Sequence, residues 1–275
     1  MKKLTIVKVG GAVVEDEAQL TQLLTDFAAI EGAKVLVHGG GRRATKTAER
    51  LGIETKMVEG RRITDAAMLE VVTMVYGGLV NKNVVARLQA LGIDAIGLTG
   101  ADANIILSEK RPPVAMGPIS PISPIGPISP ISPIIDFGFV GDVKRADGEK
   151  LARFIEAGLV PVVAPLTHDG QGHLLNTNAD TMASETAKAL AAVGYDVTLI
   201  FAFEKPGVLS NPDDDASVIA SITHDDFQRY RTDGTISGGM VPKIENALAA
   251  VDAGVCRVII TSAKAIDGHH GTVIS

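Results

Sequence analysis

Short apolar runs rich in β-branched residues recur along the chain, at Leu4 to Val9, Lys34 to His38, Ile93 to Leu98, Leu159 to Pro165, Val197 to Phe203 and Val255 to Thr261. Runs of this length and make-up predict strands buried on both faces. Between them the apolar period changes. Leu20, Leu23, Leu24, Phe27 and Ile30 recur at three- and four-residue spacing, which lays one apolar face of a helix on a sheet. Strands alternating with such helices predict an α/β fold around a mainly parallel sheet. Gly32, Gly52, Gly92, Gly158 and Gly254 sit where helical stretches end, a common place for glycine. Thr64-Asp65 offers an N-cap to a helix beginning near Ala66, and Gly77-Gly78 weakens that helix midway.

One segment breaks the pattern. Gly117 to Ile134 reads GPISPISPIGPISPISPI, and the stretch 112–133 holds eight of the thirteen prolines. Proline at every third position excludes a helix or a central strand and favours a polyproline II strut or an inserted surface loop. The flanking sequence reads as one chain of α/β pattern, so residues 112–134 are taken as an insert within the amino-terminal half.

Composition narrows the function classes. Hydrophobic residues make up 46% of 275, enough for a sizeable core in one large or two modest domains. The formal charge of −6 leaves no overall basic field for nucleic acid or an anionic membrane, so any anion must be captured locally. No apolar run is long enough for a membrane span, and the first residues are too short for a signal-peptide core. Trp is absent and aromatics are 4%, which disfavours base-stacking platforms. A single cysteine, Cys256, precludes an intrachain disulfide framework and suits the reducing cytoplasm.

Three glycine clusters follow strands or open helices: Gly10-Gly11, Gly39-Gly40-Gly41 and Gly238-Gly239. In a parallel sheet, ligands bind beyond the carboxyl ends of the strands, where glycine lets backbone N–H groups approach phosphate. Tight strand-to-helix turns also use glycine for steric reasons alone. Lys8 ends an apolar strand just before Gly10, either snorkelling to solvent or aimed at a phosphate. Lys243 lies early in the next helix after Gly239, where a cation opposes the helix dipole. Asn176-Thr177-Asn178-Ala179-Asp180 precedes a helix running from about Thr181 to Ala192; two amides and a carboxylate exceed what one cap requires. Gly39 to Ala44 also fits G-x-G-x-x-A, with Glu59 as the acid of a dinucleotide site, but Thr55 to Val58 is too short for the strand that motif demands. No P-loop motif occurs. Asp213-Asp214-Asp215 reads as a solvated acidic loop, and no histidine shows metal-ligand spacing.

Taken together, Lys8 to Gly11, Val37 to Gly41, Gly60 to Thr64, Asn81-Lys82, Gly97 to Gly100, Asn176 to Asp180 and Gly238 to Lys243 resemble the amino acid kinase family. Within it the match is to members that phosphorylate N-acetylglutamate. The resemblance runs in family order over nearly the whole chain. It implies a three-layer αβα sandwich, with an amino-terminal lobe (1–175) for an acylated amino acid and for dimerisation, and a carboxy-terminal lobe (176–275) for ATP. It implies that Lys8 and Lys243 neutralise the phosphoryl group in flight while Asp180 positions them. Arg62 and Asn176 would grip the substrate α-carboxylate, with Asn178 supporting them. Gly40 and Gly41 would serve the substrate, and Gly10, Gly11, Gly238 and Gly239 the phosphates or nucleotide.

On this reading ATP brings Mg²⁺ with it, no metal is held by the protein alone, and the enzyme is a cytoplasmic homodimer of arginine biosynthesis without arginine feedback. The nearest rival substrate is N-succinylglutamate, whose extra carboxylate Arg43, Arg61, Lys110 or Arg111 would have to meet. A rival of another class is an NAD-binding oxidoreductase; a third is a non-catalytic ligand sensor.

Overall fold

The computed structural model describes residues 2–58, 60–115 and 134–275. The proline-rich repeat at 116–133 and Glu59 lie outside the described residues. The chain's strands are β1 (Lys2–Val9), β2 (Ala33–His38), β3 (Ala95–Leu98), β4 (Ile106–Lys110), β5 (Gly141–Ala146), β6 (Val160–Val163), β7 (Leu166–His168), β8 (Leu174–Asn176), β9 (Tyr195–Phe203), β10 (Ser221–Ile222), β11 (Arg257–Ser262) and β12 (Thr272–Ile274). Its α-helices are α1 (Gly11–Glu15), α2 (Glu17–Ala29), α3 (Gly41–Arg50), α4 (Ala66–Val72), α5 (Asn81–Ala90), α6 (Gly148–Glu156), α7 (Ala179–Ala192), α8 (His224–Thr232) and α9 (Val241–Asp252). Short two-residue pairings join Met57–Val58 to Arg61–Arg62 and Val114–Ala115 to Ile134–Ile135.

The central sheet has the order β10-β12-β11-β9-β1-β2-β6-β3. All its pairings are parallel except β11 with β12. Side chains alternate across it, and two separate apolar clusters result. Leu4 and Ile6 of β1, Val35 and Val37 of β2 and Phe201 of β9 pack with Leu190 of α7 and Ile244 of α9. Val7, Val9, Leu36 and Ile200 face the other way, against Phe27 of α2, Ala44 of α3, Val72 of α4 and Leu88 of α5. Helices therefore cover both faces, and the three-layer αβα sandwich follows from period-two alternation in strands that are apolar throughout.

The six strands expected from the sequence are all present, with ends shifted by no more than two residues. The helix after Asn178 starts at Ala179, two residues before the expected Thr181. Each of the five predicted terminating glycines has a left-handed φ, for example +71° at Gly52 and +76° at Gly92. Asp65 caps α4, accepting from the Met68 N–H at 2.8 Å. The weakness at Gly77-Gly78 appears as a π-helical stretch, Thr73–Val80, joining α4 to α5.

A second sheet, β8-β7-β4-β5, is not legible as hydrophobic runs because β7 and β8 have only three residues each and β4 and β5 are partly exposed and carry charged residues. It stands beside the carboxyl ends of β3 and β6. Met57–Val58 pairs antiparallel with Arg61–Arg62 instead of joining the central sheet, so the strand a dinucleotide fold requires after α3 is absent there.

His38 ends β2 on the α4–α5 face with no exposed surface. Burial pulls its pKa down to about 4; the bond to the Gly39 carbonyl opposes this and the Lys82 ammonium adds to it. In the unfolded chain the same ring titrates near its ordinary 6.5. Below that value the unfolded state binds a proton that the folded state refuses, so stability falls as pH drops towards 4, by about 1.4 kcal/mol per pH unit. Urea unfolding across this window should show a shallower pH dependence in His38→Gln than in wild type. Equal slopes would contradict the assignment.

Candidate active site

Strand parity brings the charged groups together. Lys8 shares its face of β1 with Leu4 and Ile6, the face covered by α7 and α9. Its ammonium lies 2.6 Å from Asp180 Oδ1, at the start of α7. Lys243, in the first turn of α9, reaches Asp180 Oδ2 at 3.5 Å. The Lys8 and Asp180 side chains are 7% and 12% exposed, and Lys243 is 28% exposed. Phe203 ends β9 on the same face. Its ring lies 4.6 Å from the Lys8 ammonium and 3.8 Å from that of Lys243, stacked behind Phe201.

Burial pushes the Asp180 carboxyl up, but the two ammonium groups outweigh it and hold the group below its usual range. Burial pulls Lys243 down; Asp180 opposes that and Lys8 reinforces it. One carboxylate between two ammonium groups leaves a net positive charge, aimed at a cavity of about 290 Å³. Lys8, Gly10, Gly11, Gly41, Arg42 and Lys243 line that cavity.

The glycine turns meet backbone to backbone. A Cβ on Gly11 would stand 3.4 Å from the backbone nitrogens of Gly40 and Gly41, and one on Gly39 would stand 3.0 Å from Gly11 N. A Cβ on Gly40 would press on the Tyr76 ring at 2.9 Å. Steric need therefore explains glycine at Gly39 and Gly40, and the close approach of the turns leaves backbone N–H groups at the cavity edge. The amino end of α3 has no side-chain cap, so its first N–H groups remain available to an anion.

A second cavity of about 420 Å³ adjoins the first, and Gly41 lines both. Arg62 dominates it. The guanidinium is buried, with Nη2 donating to the Gly41 carbonyl and Thr45 Oγ1, both at 2.9 Å, and Nη1 to Thr55 Oγ1 at 3.3 Å. None of these acceptors is charged. Among the described residues Arg62 has no carboxylate partner; a buried guanidinium left so is costly, and the cavity it faces has the size to admit one. Asn176 also lines the cavity, its amide donating to Thr64 Oγ1 at 2.9 Å. Asn178 caps α7, its side-chain oxygen accepting from Asp180 N at 2.8 Å and Thr181 N at 3.1 Å, while its amide nitrogen is left for the cavity.

Lys8, Asp180 and Lys243 thus converge, as do Gly40, Gly41, Arg62, Asn176 and Asn178. Gly238 and Gly239 line neither cavity; they form the turn that leads into α9 and so set where Lys243 begins. Asp213 to Asp215 are exposed, with Asp215 paired to Lys205 at 2.9 Å. Among the described residues no group of three or more His, Cys, Asp or Glu side chains is placed to hold a metal ion. No helix there is long and apolar enough to cross a membrane.

Sequence reasoning passed over Phe203 and Tyr76. Phe203 carried a usable signal, since it shares parity with Phe201 on the face of Lys8. Tyr76 carried none. Burial raises its hydroxyl pKa, with Arg62 opposing.

The amino acid kinase family model matches residues 3–262. Acetylglutamate kinase of Bacteroides fragilis is 60% identical over 273 residues, 99% of this chain and 97% of that protein. Acetylglutamate kinase of Methanopyrus kandleri is 38% identical over 271 residues, 98% of this chain and 100% of that one. Among solved structures, a Streptococcus mutans protein superposes with a TM-score of 0.75 at 27% identity, covering 100% of this chain and 99% of its own. The fold is also that of N-acetylglutamate synthase from Neisseria gonorrhoeae complexed with coenzyme A and N-acetyl-glutamate, with a TM-score of 0.76 at 20% identity, covering 99% of this chain and 59% of that one.

Proposed function

The chain belongs to the amino acid kinase family, and from that membership and the site geometry we infer that it is a kinase transferring the γ-phosphoryl group of ATP to the γ-carboxylate of N-acetyl-L-glutamate, a step of arginine biosynthesis. The observation that carries this reading is the junction of two cavities at Gly41. One holds a buried guanidinium that has no carboxylate partner among the described residues, and the other holds two lysines set by one carboxylate. A carboxylate-bearing acceptor and a phosphate donor suit that pair of cavities.

We assign the residues accordingly. Arg62 and Asn176 take the α-carboxylate, with Asn178 beside them. The N–H groups of Gly40 and Gly41 face the acceptor, and those of Gly10 and Gly11 the transferring phosphoryl group. Gly238 and Gly239 deliver the start of α9 to the nucleotide. The acceptor γ-carboxylate is ionised at neutral pH, with an ordinary pKa near ~4.3, so its oxygen attacks phosphorus without a general base. The work left to the protein is alignment of two anions and screening of negative charge as the phosphoryl group passes between them. Lys8 and Lys243 approach that group from the side of Phe203, and Asp180 keeps both in place. Among the described residues no set of His, Cys, Asp or Glu side chains forms a cage for a metal ion, and we assign Mg²⁺ to the phosphates of ATP, where it would add to the charge screening.

Residues 1–175 form the acceptor lobe on this reading and 176–275 the nucleotide lobe. Of the four cations named for a succinyl carboxylate, Arg61 lines the acceptor cavity. Arg111 lines it too, but its guanidinium is occupied by Asp142, with Nε 3.0 Å from both carboxylate oxygens. Lys110 lies over the Phe139 ring at 5.3 Å. The oxidoreductase alternative loses its support, because α3 is not followed by a strand of the central sheet. We also assign the enzyme to the cytoplasm as a homodimer. In its favour are the free thiol of Cys256 and two exposed apolar side chains, Met74 and Leu79. These two sit five residues apart in a π-helical stretch bonded i to i+5, so they share a face.

Hydroxylamine trapping with Mg-ATP should give a hydroxamate from N-acetylglutamate and little from free glutamate. Silence with N-acetylglutamate would overturn the reading, and a stronger signal from N-succinylglutamate would correct the acyl group. Arg62→Ala should raise the KM for N-acetylglutamate tenfold or more, roughly the loss of one charge-assisted contact, while leaving the KM for ATP near its wild-type value. The opposite pattern would reverse the two cavities. Sedimentation should report a dimer that Met74→Glu splits; a monomeric wild type would remove the dimer from the account.

A further inference from the structure

We propose that His38 and Asn81 form a positioning pair that aims the Gly40 N–H into the active site, an inference that rests on the kinase reading above. Both side chains are buried, His38 at the end of β2 and Asn81 at the start of α5. Asn81 Nδ2 lies 2.9 Å from the Val162 carbonyl oxygen and 3.2 Å from His38 Nε2. A carbonyl only accepts, so the Asn81 atom facing it is the amide nitrogen, and the ring nitrogen facing the same NH₂ group must be the acceptor. His38 therefore carries its proton on Nδ1, which donates to the Gly39 carbonyl at 2.8 Å. Asn81 Oδ1 points the other way, at Gly97, where any Cβ would overlap it.

Gly39 is thereby held at both ends, since its own N–H donates to the Val9 carbonyl at 2.9 Å. In a trans peptide the C=O and the following N–H point in opposite directions. A Gly39 carbonyl tied to a buried imidazole turns the Gly40 N–H away from the interior. Gly40 lines the acceptor cavity, and its N–H finds no acceptor among the described residues. The chain of bonds runs from β6 through Asn81 and His38 to a donor left free for the reacting anion. Neither side chain touches substrate; both act through the turn.

The test pairs a spectrum with kinetics. ¹⁵N-histidine NMR of the full chain, with His38 assigned by the signals missing in H38Q, should show its Nδ1 protonated and Nε2 bare. H38N places an amide N–H where Nδ1 stood, whereas H38Q leaves the Gly39 carbonyl unpaired. H38Q should lose about 10²-fold in kcat, the scale of a sub-ångström to ångström misplacement, and H38N should recover most of it. An Nε2-protonated ring, or equal kcat in the two variants, would overturn the proposal. Should H38Q fail to fold, Asn81→Ser carries the test: the ring should become a mixture of tautomers with a lower kcat, and an unchanged tautomer at unchanged kcat would overturn the pair. The tautomer is read without substrate, so failure of the kinase reading would show separately, as a wild type that phosphorylates no N-acylglutamate.

Discussion

Lys8, from the first strand of the chain, and Lys243, from its last α-helix, end on the two oxygens of one carboxylate, Asp180. Burying an ammonium group without a counter-charge costs several kcal/mol, and a second ammonium beside it adds repulsion. Asp180 makes the pair tolerable while leaving the cluster one positive charge in excess. On the proposed reading, that excess is what a transferring phosphoryl group meets. The aromatic face of Phe203 closes the other side without adding an acceptor that would compete for the lysines.

The sheet delivers these groups by arithmetic. Alternation along β1 puts Lys8 on the face of Leu4 and Ile6, where α7 and α9 lie. Alternation along β2 puts His38 on the opposite face, with Asn81. The two faces meet only at the strand ends, where the glycine turns cross. Gly11 and Gly40 touch through their backbones, so the lysine cluster on one face and the Arg62 cavity reached from the other share a border at Gly41. A side chain at Gly39 would press on the Gly11 backbone, and one at Gly40 on the Tyr76 ring.

Much of this was legible in the sequence. Continuous apolar strands and amphipathic helices announce a sheet with both faces covered, and the terminating glycines mark helix ends. Lys8, Lys243 and Asp180 stood out because each breaks a local rule: a cation in an apolar strand, a cation at a helix start, a carboxylate beyond what a cap needs. The second sheet stayed hidden because β7 and β8 have three residues each and β4 and β5 carry polar and charged residues, so no run of apolar residues marks them. Which of Arg42, Arg43, Arg61 and Arg62 is buried could not be read from a run of similar residues; only the fold shows Arg62 turned inward onto Gly41 and Thr45. The pairing of His38 with Asn81 joins residues 43 apart and leaves no local pattern at all.

On the proposed reading Lys8 stands where charge is greatest during transfer, not where ATP is merely held. Lysine acting on the transition state should matter far more to a mimic of that state than to the nucleotide alone. Calorimetric titration of wild type and Lys8→Met with Mg-ATP, and with Mg-ADP plus aluminium fluoride and N-acetylglutamate, separates the two. A loss of about 10²-fold or more for the mimic, beside a change under about tenfold for Mg-ATP, is the predicted result. Equal weakening of both ligands would make Lys8 an ordinary nucleotide-binding residue and contradict the role given to the Lys8–Asp180–Lys243 cluster.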